Sequence, residues 1–439
     1  MRRLRVHPDN PRWLADATGR AVFLTGSHHW DVLVDNGERP GAFDFEGYLD
    51  RLEGWGHSCV RLWMHEAWTH DLSHSPWLRS GPGLAADGRP RFDLERFDGD
   101  YFARLRARVH RAGERGLHVI VMLWNGWSIH DNGEGNPWPR HPFHPLNNRN
   151  GIDGDPDARG DGADVHTLRI PAITRLQELY VARVVEAVGD LDCVLWEIAN
   201  ESPSRSRDWQ RHMLRWLRVC DAALGSASGA PAHPAGLSSC CPGGDNDDLF
   251  GSPADWASPN RHGGWMRTPP ANDGSKAVLL DTDHLWGIGG DVAWVWRAFL
   301  NGHQPLYMDP LDGDGSRDAV RRAMGMARRL AERVELATLA PRPELAGSGC
   351  CLATGPAAPT EGVASTPREL VAWSPRRRLR IDLRDIGGVC EAEWLHPATD
   401  ERVTVRELLP PQRLTVVAPW PDGAVLYLRR SSPPTAPTT

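Results

Sequence analysis

The stretch VLWEIANES, residues 194–202, ends an apolar segment with the polar pair Asn200 and Glu201. A continuous apolar run of this kind is typical of a parallel strand that is buried on both faces. In barrel enzymes the catalytic groups lie at the carboxyl ends of the strands, where this carboxylate would be. Glu201 is therefore a candidate catalytic residue, provided that a second acid faces it.

A second acidic pair lies in the stretch AVLLDTDH, residues 277–284. Side chains alternate along a strand, so Asp281 and Asp283 face one way and Thr282 faces the other. Two residues span roughly 6.6 Å of strand, which places Asp283 nearer the carboxyl mouth of a barrel. We predict that Asp283 is the second catalytic residue and that Asp281 supports it from below.

Further polar and aromatic side chains follow at the ends of the other predicted strands. Two carboxylates among arginine, amide and aromatic groups suit glycosidic bond cleavage, in which one acid protonates the leaving oxygen and the other attacks or stabilises the sugar carbon. Tryptophan is abundant, with 20 residues against 5 tyrosines, and it serves as a sugar platform or as core filler. The histidines are expected to bind sugar or to pack, because no paired spacing indicates a metal site. The predicted substrate-binding residues are His28, His29, Trp30, Arg61, Trp63, Trp124, Asn125, Trp127, Asn200, Asp281, His284 and Asp309.

These residues need a scaffold that brings strand ends together. Apolar strands and amphipathic helices alternate about eight times over residues 1–340, which predicts an α/β fold, the (β/α)8 TIM barrel. Beyond residue 340 short strands follow without helices, which predicts a small antiparallel β-sandwich over residues 341–430. The tail SSPPTAPTT, residues 431–439, is predicted to be disordered.

Composition excludes several classes of function. The net charge is −7, so no basic surface indicates nucleic-acid binding. No apolar run reaches about 18 residues, so no membrane span is expected. The basic N-terminus lacks the apolar core of a signal peptide, which predicts a cytoplasmic protein unless the start is truncated. The eight cysteines include no C-x-x-C spacing, and reduced thiols are expected.

One long loop could bind a metal. Aspartates at positions 153, 155, 157 and 161 alternate like calcium ligands, but Ala158 stands where the turn of such a loop needs glycine. The alternative is a solvated loop beside the active site, and this is the favoured interpretation. We therefore predict no metal and no cofactor.

The motifs together resemble a known group of enzymes. The segments TGSHHW, RLWM, PFHPLNN, EIANES, DTDHLWGIGGD and FLNGHQPLYMDP are similar to those of cellulase-like, clan A glycoside hydrolase barrels. In that group a C-terminal sandwich, often labelled a collagen-binding domain, follows the barrel; here we expect an accessory domain without catalytic residues. The resemblance implies that Glu201 is the acid/base, that Asn200 contacts the sugar 2-hydroxyl, and that the acid on the seventh strand is the nucleophile.

One departure from the resemblance leaves alternatives open. The nucleophile in the clan is normally glutamate, yet no glutamate occurs between Ser202 and Ala331. The leading hypothesis is a retaining hydrolase with an aspartate nucleophile acting on an oligosaccharide or glycoside. The rivals are a catalytically degenerate barrel that binds carbohydrate, and a metal-dependent hydrolase that uses the histidines. The sequence does not determine the sugar, the linkage or the oligomeric state.

Overall fold

Eight parallel strands form the centre of the computed structural model, which describes residues 3–35, 41–131, 133–313, 315–354, 369–384, 390–409 and 411–430. Each strand pairs with the next from β2 to β8, and β8 pairs with β1. The backbone nitrogens of Ser58 and Cys59 bond to the carbonyl of Thr25, which joins the first two strands. The predicted TIM barrel is therefore confirmed. The strands are β1 Gly26–His28, β2 Cys59–Leu62, β3 His118–Asn125, β4 Val194–Asn200, β5 Ala235–Ser238, β6 Trp256–Ser258, β7 Ala277–Asp281 and β8 Gln304–Met308.

The strands are apolar because both of their faces are buried. Ile120, Leu195 and Leu279 pack together in one cluster, while neighbours such as Val119 and Val194 pack into a second cluster with the surrounding helices. Alternate residues thus fill different layers, as expected of parallel strands covered by helices. A small antiparallel sheet adds apolar residues to the first cluster; its strands are Arg5–Val6, Leu14–Ala15 and Ala21–Val22.

Seven helices lie in the described part of the barrel domain. Asp44 caps the first helix by accepting from the backbone nitrogen of Gly47, and that helix ends at Gly56 in the left-handed conformation. The described residues 259–276, between β6 and β7, form turns without a helix. The helices are α1 Phe45–Trp55, α2 Gly99–Glu114, α3 Pro171–Val188, α4 Arg207–Ser228, α5 Asn246–Phe250, α6 Val292–Leu300 and α7 Asp318–Ala331. Short 3-10 helices are Gly126–Ser128, Trp138–Arg140, Ala163–His166, Ser204–Ser206, Leu336–Thr338 and Pro343–Leu345.

An antiparallel hairpin that the sequence analysis missed is inserted between β2 and α2. Its strands are Trp77–Leu84 and Pro90–Phe97. None of the helices in the described part of the chain is long and apolar enough to cross a membrane. All eight cysteines belong to described residues and are free thiols.

The C-terminal part is the predicted antiparallel sandwich. A six-stranded sheet in the order β9-β10-β11-β16-β13-β14 accompanies a two-stranded sheet of β12 and β15. The predicted boundary between residues 340 and 341 falls inside β9, and the tail 431–439 lies outside the described residues. The strands are β9 Leu339–Pro341, β10 Cys351–Thr354, β11 Glu369–Ser374, β12 Arg378–Asp382, β13 Cys390–Leu395, β14 Arg402–Leu409, β15 Arg413–Val417 and β16 Ala424–Arg430.

The barrel and the sandwich share one apolar cluster. Trp296 and Phe299 of α6 belong to it, as do Val371 and Trp373 of β11. The indole nitrogen of Trp296 also donates to the carbonyl of Pro397 at 2.9 Å. Ion pairs at the edge of this interface are Arg329–Asp400 and Arg333–Glu393. The two domains are therefore expected to unfold as one cooperative unit.

Trp296→Ala should lower the free energy of unfolding by about 3–5 kcal/mol, because a large buried side chain leaves a cavity at the interface. Urea denaturation followed by circular dichroism measures this loss. Trp420→Ala is the matched control. Trp420 is a partly exposed tryptophan of the sandwich, so its removal should lower the free energy of unfolding by less. An unfolding midpoint for Trp296→Ala equal to that of the wild type would contradict a shared core.

Candidate active site

The guanidinium of Arg61, on β2, is the centre of a buried charge cluster. Its Nε and Nη2 each donate to a carboxylate oxygen of Glu197 at 2.6 Å. Nη2 also donates to Oδ1 of Asn200 at 2.8 Å, and Nη1 reaches Asp283 at 3.0 Å and Asp281 at 3.5 Å. Glu197 of β4 is thus the buried partner of Arg61. One cation joins residues from the second, fourth and seventh strands.

Arg61 keeps its charge in this buried position. Burial alone would lower its pKa, but the nearby charges of Glu197 and Asp281 raise that pKa above its ordinary value. A buried cation is stable only when it is paired and hydrogen-bonded, and Arg61 meets both conditions. It can therefore hold the acids at the mouth in fixed positions.

Asp281 is fully buried and supports the site from below. The indole nitrogen of Trp63 donates to Nδ1 of His28 at 3.0 Å, so the proton on Nε2 of His28 points at Asp281, 2.9 Å away. The backbone nitrogen of Asp283 donates to the same oxygen of Asp281 at 3.0 Å. Burial alone would raise the pKa of Asp281, but its interactions with His28 and then with Arg61 hold it well below the ordinary value. Asp281 is an anion whose oxygens are already engaged.

Asp283 lies two residues beyond the end of β7 and is the outermost acid of this pair. Its side chain is 5% exposed against 1% for Asp281. Nε2 of His284 lies 3.7 Å from Oδ2 of Asp283 and donates to Oδ1 of Asn200 at 2.9 Å. Nδ1 of His284 pairs with the hydroxyl of Ser258 at 2.7 Å. This placement agrees with the depth argument that distinguished the two aspartates.

Glu201 faces this cluster in a strained conformation. Its φ is +44°, in the left-handed region that non-glycine residues rarely adopt. Gly126 makes room for it, because a Cβ at position 126 would overlap the carbonyl of Glu201. The indole nitrogen of Trp127 donates to Oε2 of Glu201 at 2.6 Å. The backbone of this residue is therefore shaped to aim its carboxyl group.

The carboxyl group of Glu201 is poised to carry a proton at neutral pH. Burial and the charge of Asp283 raise the pKa of Glu201 to about 8, although the Trp127 hydrogen bond and Arg61 act in the opposite direction. A carboxylic acid with its pKa near the working pH can donate a proton in one step and accept it in another. Asp283, the second acid at this mouth, is held by the cation of Arg61.

A second buried network, which the sequence analysis missed, holds the backbone around Glu201. Oγ of Ser202 lies 2.9 Å from Nδ1 of His166, and Nε2 of His166 lies 3.0 Å from Oε1 of Glu66. The other oxygen of Glu66 accepts from the backbone nitrogen of Asn125 at 3.1 Å. Burial alone would raise the pKa of Glu66, but the charge of His166 and hydrogen bonds from histidines lower it to about 2.

This network has the composition of a nucleophilic triad, but its three side chains are buried. Ser202, His166 and Glu66 are each at most 2% exposed, so no substrate can reach the serine. His166 also stacks on Trp209, with ring centroids 4.4 Å apart. The network fixes the positions of Ser202, which follows Glu201, and of Asn125, which lies two residues before Trp127. No local sequence pattern indicates this network, because His166 lies 100 positions from Glu66 and 36 positions from Ser202.

The first strand supplies an aromatic edge to the mouth. His29 is buried and stacks on the partly exposed Trp30, with ring centroids 4.0 Å apart. Nε2 of His65 pairs with the carbonyl of Trp30 at 3.0 Å, and its Nδ1 lies 3.2 Å from Nδ2 of Asn125. Asn125 in turn accepts from Nδ2 of Asn200 at 3.3 Å. These contacts connect the ends of β1, β3 and β4.

Two predicted substrate-binding residues lie elsewhere. Trp124 packs edge-on against Tyr180 and Trp209 of the helix layer, at 5.6 and 5.2 Å between ring centroids. It faces away from the mouth because side chains alternate and its neighbour Asn125 faces the mouth. Asp309 is fully buried and both of its oxygens accept from Arg321 of α7, at 2.8 and 2.5 Å. Assigning these two residues to the substrate was a misreading of strand ends.

The aspartate loop makes protein contacts. Asp155 accepts from the backbone nitrogens of Arg159 and Gly160, at 3.0 and 2.7 Å. Asp157 forms ion pairs with Arg159 and Arg169. Among the residues that the structure describes, no group of three or more metal-binding side chains was found. The carboxylates of this loop are engaged in shaping its turn.

Comparisons with known proteins show which solved structures share this fold. No family model and no curated protein matches the sequence. A glycoside hydrolase family 5 structure from Bacteroides vulgatus ATCC 8482 is similar with a TM-score of 0.63 and 12% identity, covering 99% of this chain and 95% of that chain. Another structure, named a glycoside hydrolase, has a TM-score of 0.61 and 13% identity, covering 98% of this chain and 97% of that chain.

Both neighbours extend over nearly the whole chain, so the likeness includes the C-terminal domain as well as the barrel. The collagen-binding label that the resemblance attaches to that domain is not confirmed. At these identities the comparison concerns three-dimensional structure and not the substrate. The chain therefore shares the fold of these two glycoside hydrolase structures over its whole length.

The raised pKa of Glu201 predicts a pH-dependent change in stability. The folded pKa of about 8 lies above the unfolded value, so the folded state binds the extra proton and loses stability as pH rises between about 4.5 and 8. Glu201→Gln imitates the protonated form at every pH. Its free energy of unfolding should exceed that of the wild type by an amount that grows over this interval, on the order of 2–4 kcal/mol near pH 8.

Urea titrations at several pH values measure this difference. Glu186→Gln is the matched control, because Glu186 is an exposed helix residue and its removal should give no such pH trend. A stability difference between Glu201→Gln and wild type that stays constant from pH 5 to 8 would show that Glu201 titrates normally.

Proposed function

We propose that the chain is a glycoside hydrolase that cleaves an O-glycosidic bond with retention of configuration. Glu201 acts as the acid/base and Asp283 as the nucleophile. The proposal rests on two carboxyl groups at one mouth: Glu201, whose buried position beside Asp283 raises its pKa to about 8, and Asp283, which the buried cation Arg61 holds at 3.0 Å. One proton donor and one anion at the same mouth are the groups that glycoside hydrolysis requires.

In the first step Glu201 gives its proton to the glycosidic oxygen while the carboxylate of Asp283 attacks the anomeric carbon. The bond from that carbon to the oxygen breaks, the alcohol leaves, and a glycosyl ester forms on Asp283. In the second step the Glu201 carboxylate takes a proton from water, and the oxygen of this water attacks the same carbon. The ester breaks, which restores Asp283 as an anion and Glu201 as an acid.

The surrounding side chains suit these steps. The carboxylate that Glu201 becomes after donating its proton is stabilised by the Trp127 indole, 2.6 Å away. The oxygen of Asn200 accepts from Arg61 and His284, and one hydrogen of its amide nitrogen goes to Asn125, so the second amide hydrogen is the one that can donate to a sugar hydroxyl. Arg61 and Asp281 act through Asp283 and do not need to contact the sugar. Trp30 offers a partly exposed ring at the mouth.

A second candidate function rests on the absence of glutamate between Ser202 and Ala331. An aspartate reaches one methylene less than the glutamate expected from the resemblance, so the same barrel could bind carbohydrate without cleaving it. Purified protein tested on a panel of aryl glycosides and polysaccharides distinguishes the two functions, since only the hydrolase releases sugar.

Glu201→Gln should reduce turnover of an unactivated glycoside by about 10²–10⁴-fold, the usual contribution of general acid assistance. Activity should partly return on dinitrophenyl glycosides, because their leaving groups need little protonation. Glu186→Gln, at an exposed position, should keep the wild-type rate on both substrates. Steady-state rates on the two substrates provide the measurement, and wild-type turnover of the unactivated glycoside by Glu201→Gln would remove Glu201 from the mechanism.

A 2-deoxy-2-fluoro glycosyl fluoride of the accepted sugar should form a stable ester on Asp283. Peptide mapping by mass spectrometry identifies the modified residue, and Asp283→Asn should abolish labelling. A retaining pair requires carboxyl groups about 5–5.5 Å apart, whereas an inverting pair needs about 6.5–9.5 Å. A label on Asp281, or inverted product seen by NMR, would overturn the assignment.

A further inference from the structure

A separate pocket lies on the loop that joins β7 to α6, outside the charge cluster described above. It has a volume of about 330 Å³, at the lower end of the range for small-ligand sites. Side chains that line it include Arg267, Trp286, Asp291, Trp294 and Arg297. The same loop, residues 282–291, also carries Asp283.

The pocket contains an aromatic ring in a fixed position. Trp286 is partly exposed and meets Trp294 edge-to-face, with ring centroids 5.7 Å apart. A Cβ at Gly289 would overlap the indole nitrogen of Trp286, so the ring lies directly on that glycine. The backbone nitrogens of Leu285 and Trp286 both bond to the carbonyl of Thr282, at 3.0 and 2.9 Å. A flat ring held in this way is preorganised to stack against a sugar face.

The polar groups of the pocket favour a negatively charged ligand. Nη1 of Arg297 donates to the carbonyl of Arg267 at 3.1 Å, and within the described residues neither guanidinium forms an ion pair. Asp291 caps α6 by accepting from the backbone nitrogen of Trp294 at 2.6 Å. The indole nitrogen of Trp294, a residue only 2% exposed, has no partner in the described part of the chain. Donors therefore outnumber acceptors here.

We propose that this pocket binds a uronic acid unit of a saccharide. The sugar ring stacks on Trp286, and its carboxylate accepts from Arg267 and Arg297. A guanidinium group binds a carboxylate with strong, directional hydrogen bonds. The binding does not require hydrolysis, so it holds or fails independently of the function proposed for Glu201 and Asp283.

Calorimetric titration with D-glucuronate, D-glucose and acetate tests the proposal, because none of these probes has a glycosidic bond to cleave. D-glucuronate should bind with a dissociation constant on the order of 1 mM, given the affinity per atom of small ligands. D-glucose and acetate should each bind at least about tenfold more weakly, because the first lacks the carboxylate and the second lacks the ring.

Arg267→Gln and Arg297→Gln should each weaken glucuronate binding by about tenfold, and Trp286→Ala should do the same. Arg215→Gln is the matched control, since Arg215 is an exposed arginine of α4 far along the chain. Arg267 is itself exposed, so its variant keeps the fold and isolates the effect on binding. Equal affinity for glucose or acetate and glucuronate, or unchanged binding in both arginine variants, would overturn the proposal.

Discussion

The burial of Arg61 inside the barrel determines where the polar side chains around it must lie. A buried guanidinium is stable only if acceptors surround it, and Arg61 obtains them from Glu197, Asn200, Asp281 and Asp283. Those residues come from two strands that are not adjacent to β2, so the cation fixes the relative positions of distant strand ends. The catalytic geometry we propose is a consequence of satisfying this charge.

The same constraint gives different roles to the two aspartates at the end of β7, Asp281 and Asp283. The inner one, Asp281, gives its oxygens to His28, to Arg61 and to the backbone of Asp283, and it is left as a buried anion. The outer one keeps a less buried position with a single strong contact to Arg61. A carboxylate that attacks a carbon atom must give up some of its hydrogen bonds and ion pairs. This costs little free energy for Asp283, which has one strong contact, and more for Asp281, which has three. The burial of Asp281 therefore supports the role of Asp283.

Much of this arrangement could be predicted because its signals are local. Apolar runs that end in Asn200-Glu201 or Asp281-Thr282-Asp283 indicate both the barrel and the strand ends that carry polar groups. The network of Glu66, His166 and Ser202 could not be predicted in this way, since its bonded pairs are 36 and 100 positions apart and meet only in the fold. Trp124 and Asp309 were wrongly predicted for the opposite reason. Both lie at strand ends, as the sequence indicated, but a side chain at a strand end can face the helix layer as readily as the mouth.

The charge of Asp283 has a further consequence for the proposed mechanism. After burial, it is the largest cause that raises the pKa of Glu201, and it is present only while Asp283 is an anion. Formation of the glycosyl ester removes that charge, while Arg61 and the Trp127 hydrogen bond remain. The pKa of Glu201 must then fall, at the moment when Glu201 has lost its proton and must act as a base. Hydrolysis of the ester restores the charge of Asp283 and with it the affinity of Glu201 for the proton. A single electrostatic coupling thus adjusts the same carboxyl group for its two opposite tasks.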